Sequence, residues 1–286
     1  MAKLPANRAA SVRQRLLNLA RTEGRDFQTV LVAFGLERVV WRLSVSAHRD
    51  QFFLKGGMLV TLWTSDPGRF TRDIDFLGYG APEDERIKSV FAEILSIDAA
   101  DGLQFDANAL TVSDIREDQV YGGKRLRTAA ELAGAKIPIT IDVGFGDAVT
   151  VPDYEIEYGS LLDFDSARIR AYSPATVMAE KLQAVVALGL INGRMKDFYD
   201  LWAIPRAINV PDEELAEAMR ATFQRRQTPV PADRPPGLSS TFAEQPGKAA
   251  QWRAFSTSTT LEGKALAETL EEIWTLIEPA VRSARA

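Results

Sequence analysis

The stretch Phe52-Phe-Leu-Lys-Gly-Gly-Met-Leu-Val-Thr-Leu-Trp-Thr-Ser-Asp-Pro-Gly-Arg-Phe-Thr-Arg-Asp-Ile-Asp-Phe-Leu77 decides how this chain is read. Phe52 to Leu54 is a short apolar run, and Gly56-Gly57 breaks it and starts a short apolar helix, Met58 to Trp63. A turn through Asp66-Pro67-Gly68 leads to a second extended run, Asp73 to Leu77. Residues i and i+2 of a strand point the same way, so Asp73 and Asp75 project from one face while Ile74 enters the core. Two carboxylates held that close repel each other, and a divalent cation relieves the repulsion; hard oxygen ligands of this kind suit Mg²⁺ or Mn²⁺. Gly56-Gly57 leaves backbone N–H groups at a helix start, where a phosphate can sit. A phosphate seat facing a metal pair is the arrangement phosphoryl chemistry needs. Either motif alone occurs by chance in many chains; together they point one way.

The rest of the chain supplies further parts. Residues 9 to 20 and 27 to 43 read as helices, the second with an apolar stripe through Val30, Leu31, Phe34, Val39, Val40 and Leu43. His48 reads as structural or merely exposed, with nothing in the nearby sequence to tune it. Glu83 to Leu95 reads as a helix and Leu103 to Val112 as a strand; Tyr121 to Arg127 reads as either a strand start or a loop. In Lys136-Ile-Pro-Ile-Thr-Ile-Asp-Val-Gly-Phe-Gly-Asp147 the residues Ile137, Ile139, Ile141 and Val143 alternate, which turns Asp142 away from the isoleucines. Asp147, in a Gly-rich turn, reads as a turn or cap residue.

From Pro152 to Arg170 the pattern is mixed. Ser173-Pro174 then opens a helix, Ser as N-cap and Pro at the first helical position, running to Leu188. At about 100° per residue, Lys181 falls in the middle of the apolar arc formed by Val177, Met178, Val185 and Leu188. A lysine there must snorkel or find an anion, because burying an unpaired ammonium is costly. Asn192 to Trp202 is a loop leading into a second helix, with Asp197 bordering its apolar side and Asp200 expected to point outward beside Lys196. Pro211 to Arg226 reads as a helix, Thr228 to Gly247 as an extended connection, and Leu261 to Val281 as the closing helix.

Composition sets the frame. The 286 residues are 46% hydrophobic, enough for a sizeable core. There is no cysteine and a single histidine, which excludes disulfides, thiolate metal sites and sites built from several imidazoles. No apolar run approaches the roughly 18 residues of a membrane span, and no signal-peptide core is seen at the N-terminus, so a cytoplasmic protein without a membrane partner is expected. A net charge of −5 argues against nucleic acid as a partner. Basic clusters at Lys3, Arg8, Arg13, Arg15, Arg21 and Arg25, at Lys124, Arg125 and Arg127, and at Arg220, Arg225 and Arg226 nonetheless leave room for an RNA backbone track.

Gly-Gly, a spacer and Asp-x-Asp resemble the first motif of the DNA polymerase β-type nucleotidyltransferase superfamily. The wording Lys55-Gly-Gly-Met-Leu followed by Arg69-Phe-Thr-Arg-Asp-Ile-Asp75 is similar to the AbiEii/AbiGii nucleotidyltransferase toxins of type IV toxin–antitoxin systems. Ala179-Glu-Lys-Leu and Gly193-Arg-Met-Lys-Asp-Phe-Tyr-Asp-Leu201 resemble the second signature of these toxins, in the expected order. The resemblance covers about residues 50 to 280.

It implies an α+β fold. A mixed polymerase β-like sheet flanked by helices would occupy residues 1–165, and a mostly helical domain completing the active site residues 166–286. It implies Asp73, Asp75 and Asp142 as metal ligands for Mg²⁺ or Mn²⁺, with Asp142 also able to take the acceptor's proton. Lys181 would contact the triphosphate, and an acid on the next helix would complete the site, with Asp197 favoured over Asp200. Nucleotide contacts would come from Lys55, Gly56, Gly57, Arg69, Thr71, Lys181 and Asp200. The implied activity moves NMP from an NTP to an acceptor hydroxyl, foremost the 3′ end of tRNA, blocking translation until a cognate antitoxin acts. The alternatives are a nucleotide-binding or interaction module without turnover, and a transferase acting on a protein or small-molecule hydroxyl. The longer spacer between Gly57 and Asp73 and the unmatched first 45 residues depart from the pattern.

Overall fold

In chain order the computed structural model of the protein has helices α1 (Ala6–Thr22) and α2 (Phe27–Ser44), strand β1 (Phe52–Lys55), helix α3 (Gly57–Thr64), strand β2 (Ile74–Gly78) and helix α4 (Asp84–Leu95). Strands β3 (Gln104–Phe105), β4 (Thr111–Ile115), β5 (Gly123–Leu132), β6 (Ala135–Phe145), β7 (Glu155–Tyr158) and β8 (Ala167–Arg170) follow. Helices α5 (Pro174–Leu188), α6 (Met195–Ala207), α7 (Asp212–Arg225), α8 (Ser240–Ala243), α9 (Lys248–Ser256) and α10 (Leu266–Arg285) complete it. The structure describes residues 6–115 and 122–285, so Lys3 and Tyr121 lie outside the described residues. Two compact units share the chain: Met1–Met58, Phe70–Gly146 and Asp153–Ala171 form the first, Leu59–Arg69, Asp147–Pro152 and Tyr172–Ala286 the second. The expected boundary after residue 165 lies inside Asp153–Ala171.

The first unit is built on a mixed sheet in the order β1-β2-β6-β5-β3, with β4 also pairing β5. All pairs are antiparallel except β2 with β6. One face of β6 carries Ile137, Ile139, Ile141 and Val143, all buried, and α2 packs on β6 and on β8. Phe52 of β1, Phe76 of β2 and Phe91 of α4 form an aromatic cluster with ring centroids 5.2 to 6.2 Å apart. Because strand side chains alternate, burying Ile74 and Phe76 leaves Asp75 on the other face, half-buried; the strand starts at Ile74, one residue later than expected, so half-buried Asp73 stands in the bend before it.

Several expectations are corrected here. Leu103 to Val112 is not one strand: Asp106 accepts a hydrogen bond from the Ala109 amide (3.0 Å), a local turn that separates β3 from β4. The mixed stretch before residue 170 contains the β7–β8 hairpin, whose short strands were hidden by an uneven polar pattern. Thr228 to Gly247 is not wholly extended, since Ser239 caps the short α8. His48 has polar neighbours after all, Glu93 of α4 at 2.9 Å and the Gln51 amide at 3.0 Å.

The second unit is helical around α5, α6, α7 and α10. Ser173 caps α5 through the Thr176 amide (3.3 Å), as the sequence predicts. Pro174–Ile191, with a mean hydropathy of 1.3 over 18 residues, is long and apolar enough by composition to cross a membrane; 56% of it is buried, the pattern of a core helix.

Burial of charge on α2 has a measurable consequence. Glu37 is 3% exposed and accepts from the Leu161 amide (2.8 Å) and the Ser160 hydroxyl. Arg38 and Arg42 converge on buried Asp101 at 3.0 and 2.7 Å. Burial pushes the Glu37 carboxyl up to about 7; the Ser160 and Leu161 hydrogen bonds and Arg38 oppose the rise, and Asp101 adds to it. A carboxyl whose folded pKa lies above its unfolded one contributes its stability below the unfolded value and loses it as pH rises through the folded value. The chain should therefore lose stability between about pH 4.5 and 7 on this account. Glu37→Gln should flatten that slope and melt higher than wild type at pH 8, by about 2 kcal/mol. Equal pH profiles in urea melts would show that Glu37 stays ionised in the fold.

Candidate active site

Strand register sets out the first half of the site. Lys55 lies opposite Asp75, Asp75 beside Asp142, and Asp142 opposite Arg125, across β1, β2, β6 and β5. Neighbours in register share a face, so this is a row of charges in the order plus, minus, minus, plus. Asp73 stands in the bend just before β2, and the Thr71 hydroxyl donates to its Oδ1 at 2.5 Å. Arg125 grips Asp142 with both prongs of the fork, Nε to Oδ1 at 2.7 Å and Nη2 to Oδ2 at 2.5 Å. Such a paired contact is the strong form of an arginine–carboxylate bond.

Gly56 is required where it stands. Its φ is +70°, and a Cβ added there would lie 2.1 Å from Asp75 Oδ2, so any side chain would evict the carboxylate. The sequence points to the Gly-Gly pair as a phosphate seat; the structure adds that Gly56 makes room for Asp75.

The chemistry of Asp73 and Asp75, two half-buried carboxylates two residues apart, suits a hard divalent cation. Among the described residues, however, no group of three His, Cys, Asp or Glu side chains converges to hold one. Asp142 is beside Asp75 in the sheet, yet Arg125 occupies both its oxygens.

A second cluster lies in the second unit. Lys181 Nζ is 2.5 Å from Asp200 Oδ2 and 3.0 Å from Asp197 Oδ1. Arg69 donates to Asp200 from Nε at 2.6 Å and from Nη2 at 2.7 Å, and Arg194 Nε reaches Asp197 Oδ2 at 2.9 Å. The anion that the apolar arc demands of Lys181 is thus supplied within the chain. Asp200 is 0% exposed, against the expectation that it points outward. The helical wheel fails there because α6 is buried around most of its circumference, including Asp197, Phe198, Tyr199, Asp200 and Leu201. Burial works against the charge of Lys181, but Asp197 and Asp200 outweigh it and hold its pKa up. Burial likewise opposes ionisation of Asp200, and Lys181 with Arg69 overcomes it, holding the carboxyl below its usual range.

Sequence reasoning missed how Arg69 is held. Asp66 accepts from the Gly68 amide (2.8 Å), the Thr260 amide (2.8 Å) and the Tyr199 hydroxyl (2.5 Å), tying the Asp66-Pro67-Gly68 turn to α6 and to residue 260. A Cβ on Gly68 would lie 1.6 Å from the Ser258 carbonyl oxygen, so the turn also needs glycine. Burial, followed by the Asp66 hydrogen bond, pushes the Tyr199 hydroxyl up to about 12. The only sequence signal was the Asp-Pro-Gly turn itself. Asp147, expected as a turn or cap residue, lies in the irregular stretch after the Gly146 bend and meets Arg226 and the Tyr172 hydroxyl, each at 3.4 Å.

Several members of the basic clusters are paired with acids inside their own units. Lys124 pairs with Asp84 at 2.5 Å and Asp114 at 2.7 Å, and Arg226 with Glu180 at 2.8 Å. Arg15 meets Asp163 at 2.8 Å, and Arg25 meets Glu23 at 3.0 Å.

A family model, the nucleotidyl transferase AbiEii toxin of type IV toxin–antitoxin systems, matches residues 38–278. The crystal structure of JHP933 from Helicobacter pylori aligns with a TM-score of 0.50 at 14% identity, covering 91% of this chain and 94% of that one. A candidate nucleotidyltransferase from H. pylori aligns at a TM-score of 0.48 and 13% identity, over 91% of this chain and 97% of that one. At such identities the first likeness speaks for the fold alone. No functionally curated protein matches the sequence.

The charge cluster of the second unit gives a stability prediction. Lys181→Met deletes one of the cations between Asp197 and Asp200 and should destabilise the protein by about 3 kcal/mol or more, the cost of breaking a buried ion pair. Thermal and urea melts at neutral pH check it. A mutant as stable as wild type would mean that Arg69 and Arg194 suffice for the two carboxylates.

Proposed function

Since the chain belongs to the AbiEii nucleotidyl transferase toxin family of type IV toxin–antitoxin systems, we propose that it moves NMP from an NTP to the 3′ end of tRNA in the cytoplasm, arresting translation until a cognate antitoxin neutralises it. The observation that carries the reading is the register of Asp75 on β2 with Asp142 on β6, with Asp73 in the bend that leads into β2.

Asp73 and Asp75 are the residues that would hold Mg²⁺ or Mn²⁺, with Asp142 as the third carboxylate of the family pattern. The metal, when bound, supplies charge neutralisation and polarisation at the α-phosphate. The Thr71 hydroxyl fixes the rotamer of Asp73, and Gly56 keeps the space that Asp75 needs. Released from Arg125, Asp142 would stand beside Asp75 and would be the carboxylate to take the proton of an acceptor hydroxyl. Lys181 and Arg69 are assigned to phosphate contacts. Each must first exchange an aspartate oxygen for a phosphate oxygen, so these contacts are made only with nucleotide bound.

A protein or small-molecule hydroxyl is the second reading for the acceptor. It is favoured by the internal pairing of Lys124, Arg125 and Arg226, which leaves fewer cations for an RNA backbone.

Incubating the protein with each radiolabelled NTP, Mg²⁺ and total tRNA should label tRNA. Label on protein would select the second reading, and no transfer from any NTP to any acceptor would sink the transferase proposal for this chain. Asp75→Asn should lower transfer by about a thousandfold, the loss of several kcal/mol of transition-state stabilisation, and the melting temperature should stay within a few degrees.

A further inference from the structure

We propose that Arg125 is a positioning residue that withholds Asp142 from the metal set until an anionic ligand, the triphosphate of the nucleotide, takes over its guanidinium. The inference rests on the metal-dependent reading above and concerns the order in which that site is assembled.

The argument starts from the row of charges. Asp75 and Asp142 sit side by side on parallel strands, so with no counter-charge the pair would destabilise its own sheet. The fold supplies cations at both ends of the row, Lys55 opposite Asp75 and Arg125 opposite Asp142. The repulsion between Asp75 and Asp142 is therefore offset before any metal arrives. Of these contacts the Arg125 fork is the most demanding, because both Asp142 oxygens are taken at 2.7 and 2.5 Å in the planar geometry arginine alone provides. The pair is partly withdrawn from water, the side chains being 32% and 13% exposed, so screening weakens it less than a surface bridge.

A divalent cation seeking three carboxylates must displace this fork and then meet the guanidinium's charge nearby. That makes free metal and Arg125 competitors for Asp142. A triphosphate changes the balance, since phosphate oxygens offer a guanidinium the same two-pronged contact as a carboxylate. Arg125 can then turn from Asp142 to phosphate without losing its hydrogen bonds, and Asp142 is freed toward Asp73 and Asp75. Arg125 stands on β5, whose pairing with β6 runs from Lys124 to Leu132, so its backbone is fixed and the latch is a matter of its side chain.

The test is binding of Mn²⁺ alone, without nucleotide, followed by titration calorimetry or by the loss of the free-ion paramagnetic signal. Arg125→Met should bind Mn²⁺ on the order of tenfold more tightly than wild type, since a competing cation has been removed. The double variant Arg125→Met with Asp142→Asn should lose that gain. Arg125→Lys, which keeps the charge without the fork, should fall between wild type and Arg125→Met, and it serves if the methionine variant misfolds. Unchanged Mn²⁺ affinity in Arg125→Met and Arg125→Lys would overturn the latch, as would an Asp142→Asn variant that loses wild-type metal binding outright. Failure of the metal-dependent reading looks different: Asp75→Asn placed on Arg125→Met would then bind Mn²⁺ as well as its parent.

Discussion

Two aspartates in register on neighbouring parallel strands are the constraint on which the first unit depends. The period of two along a strand ties them to the core: burying Ile74 and Phe76 on β2 and Ile139, Ile141 and Val143 on β6 delivers Asp75 and Asp142 to the same open face. A slip of one residue in either strand would bury a carboxylate and expose a core side chain. Hydrophobic packing against α2 and α4 therefore sets the geometry of the polar site, and the repulsion that results is absorbed by lysine and arginine at the ends of the row. The site is held under tension by the core and kept quiet by its own cations.

The second unit solves a related problem in another way. Arg69, Lys181, Asp197 and Asp200 are taken out of water together, two cations and two anions, with Arg194 at the edge. Buried ion pairs add little net stability once desolvation is counted, but losing one member leaves a charge stranded. Such a cluster rewards one arrangement of α5, α6 and the turn at Asp66 to Arg69 over its near neighbours. The same arrangement keeps Lys181 and Arg69 ionised and directional, which suits them to exchange partners with an incoming anion.

What was legible in the sequence follows from these two solutions. Alternation revealed β6 and the direction of Asp142, and the Ser173-Pro174 start fixed α5 within a residue. Periodicity also showed that Lys181 lies on an apolar arc. It could not show what that lysine meets, because Asp200 was read from a wheel that assumes one buried stripe, while α6 is enclosed on several sides. The short strands β3, β7 and β8 escaped because two to four residues carry too little pattern to separate from loops. The role of Asp66 was invisible for another reason: its partners Tyr199 and Thr260 are remote in sequence, and only the fold brings them to it.

Charge counting was the least informative reading, and the structure shows the physical reason. A cluster of basic letters in a sequence reports where cations are encoded, whereas binding a polyanion depends on which cations are still unneutralised. Lys124 lies between Asp84 and Asp114, Arg125 on Asp142, and Arg226 between Glu180 and Asp147. Of the N-terminal arginines, Arg15 and Arg25 have acidic partners and Arg13 stacks over Phe27 at 5.7 Å. The exposed pairs among these are weak and screened, so a phosphate backbone can compete for them. The half-buried pairs, Arg125 with Asp142 and Arg226 with Glu180, are screened less and yield less readily. An acceptor with many phosphates would therefore be held by the exposed arginines of α1 and attracted less by the interior clusters. The −5 net charge is in that sense a fair summary of the field the protein presents, and the site's selectivity has to come from the carboxylate row itself.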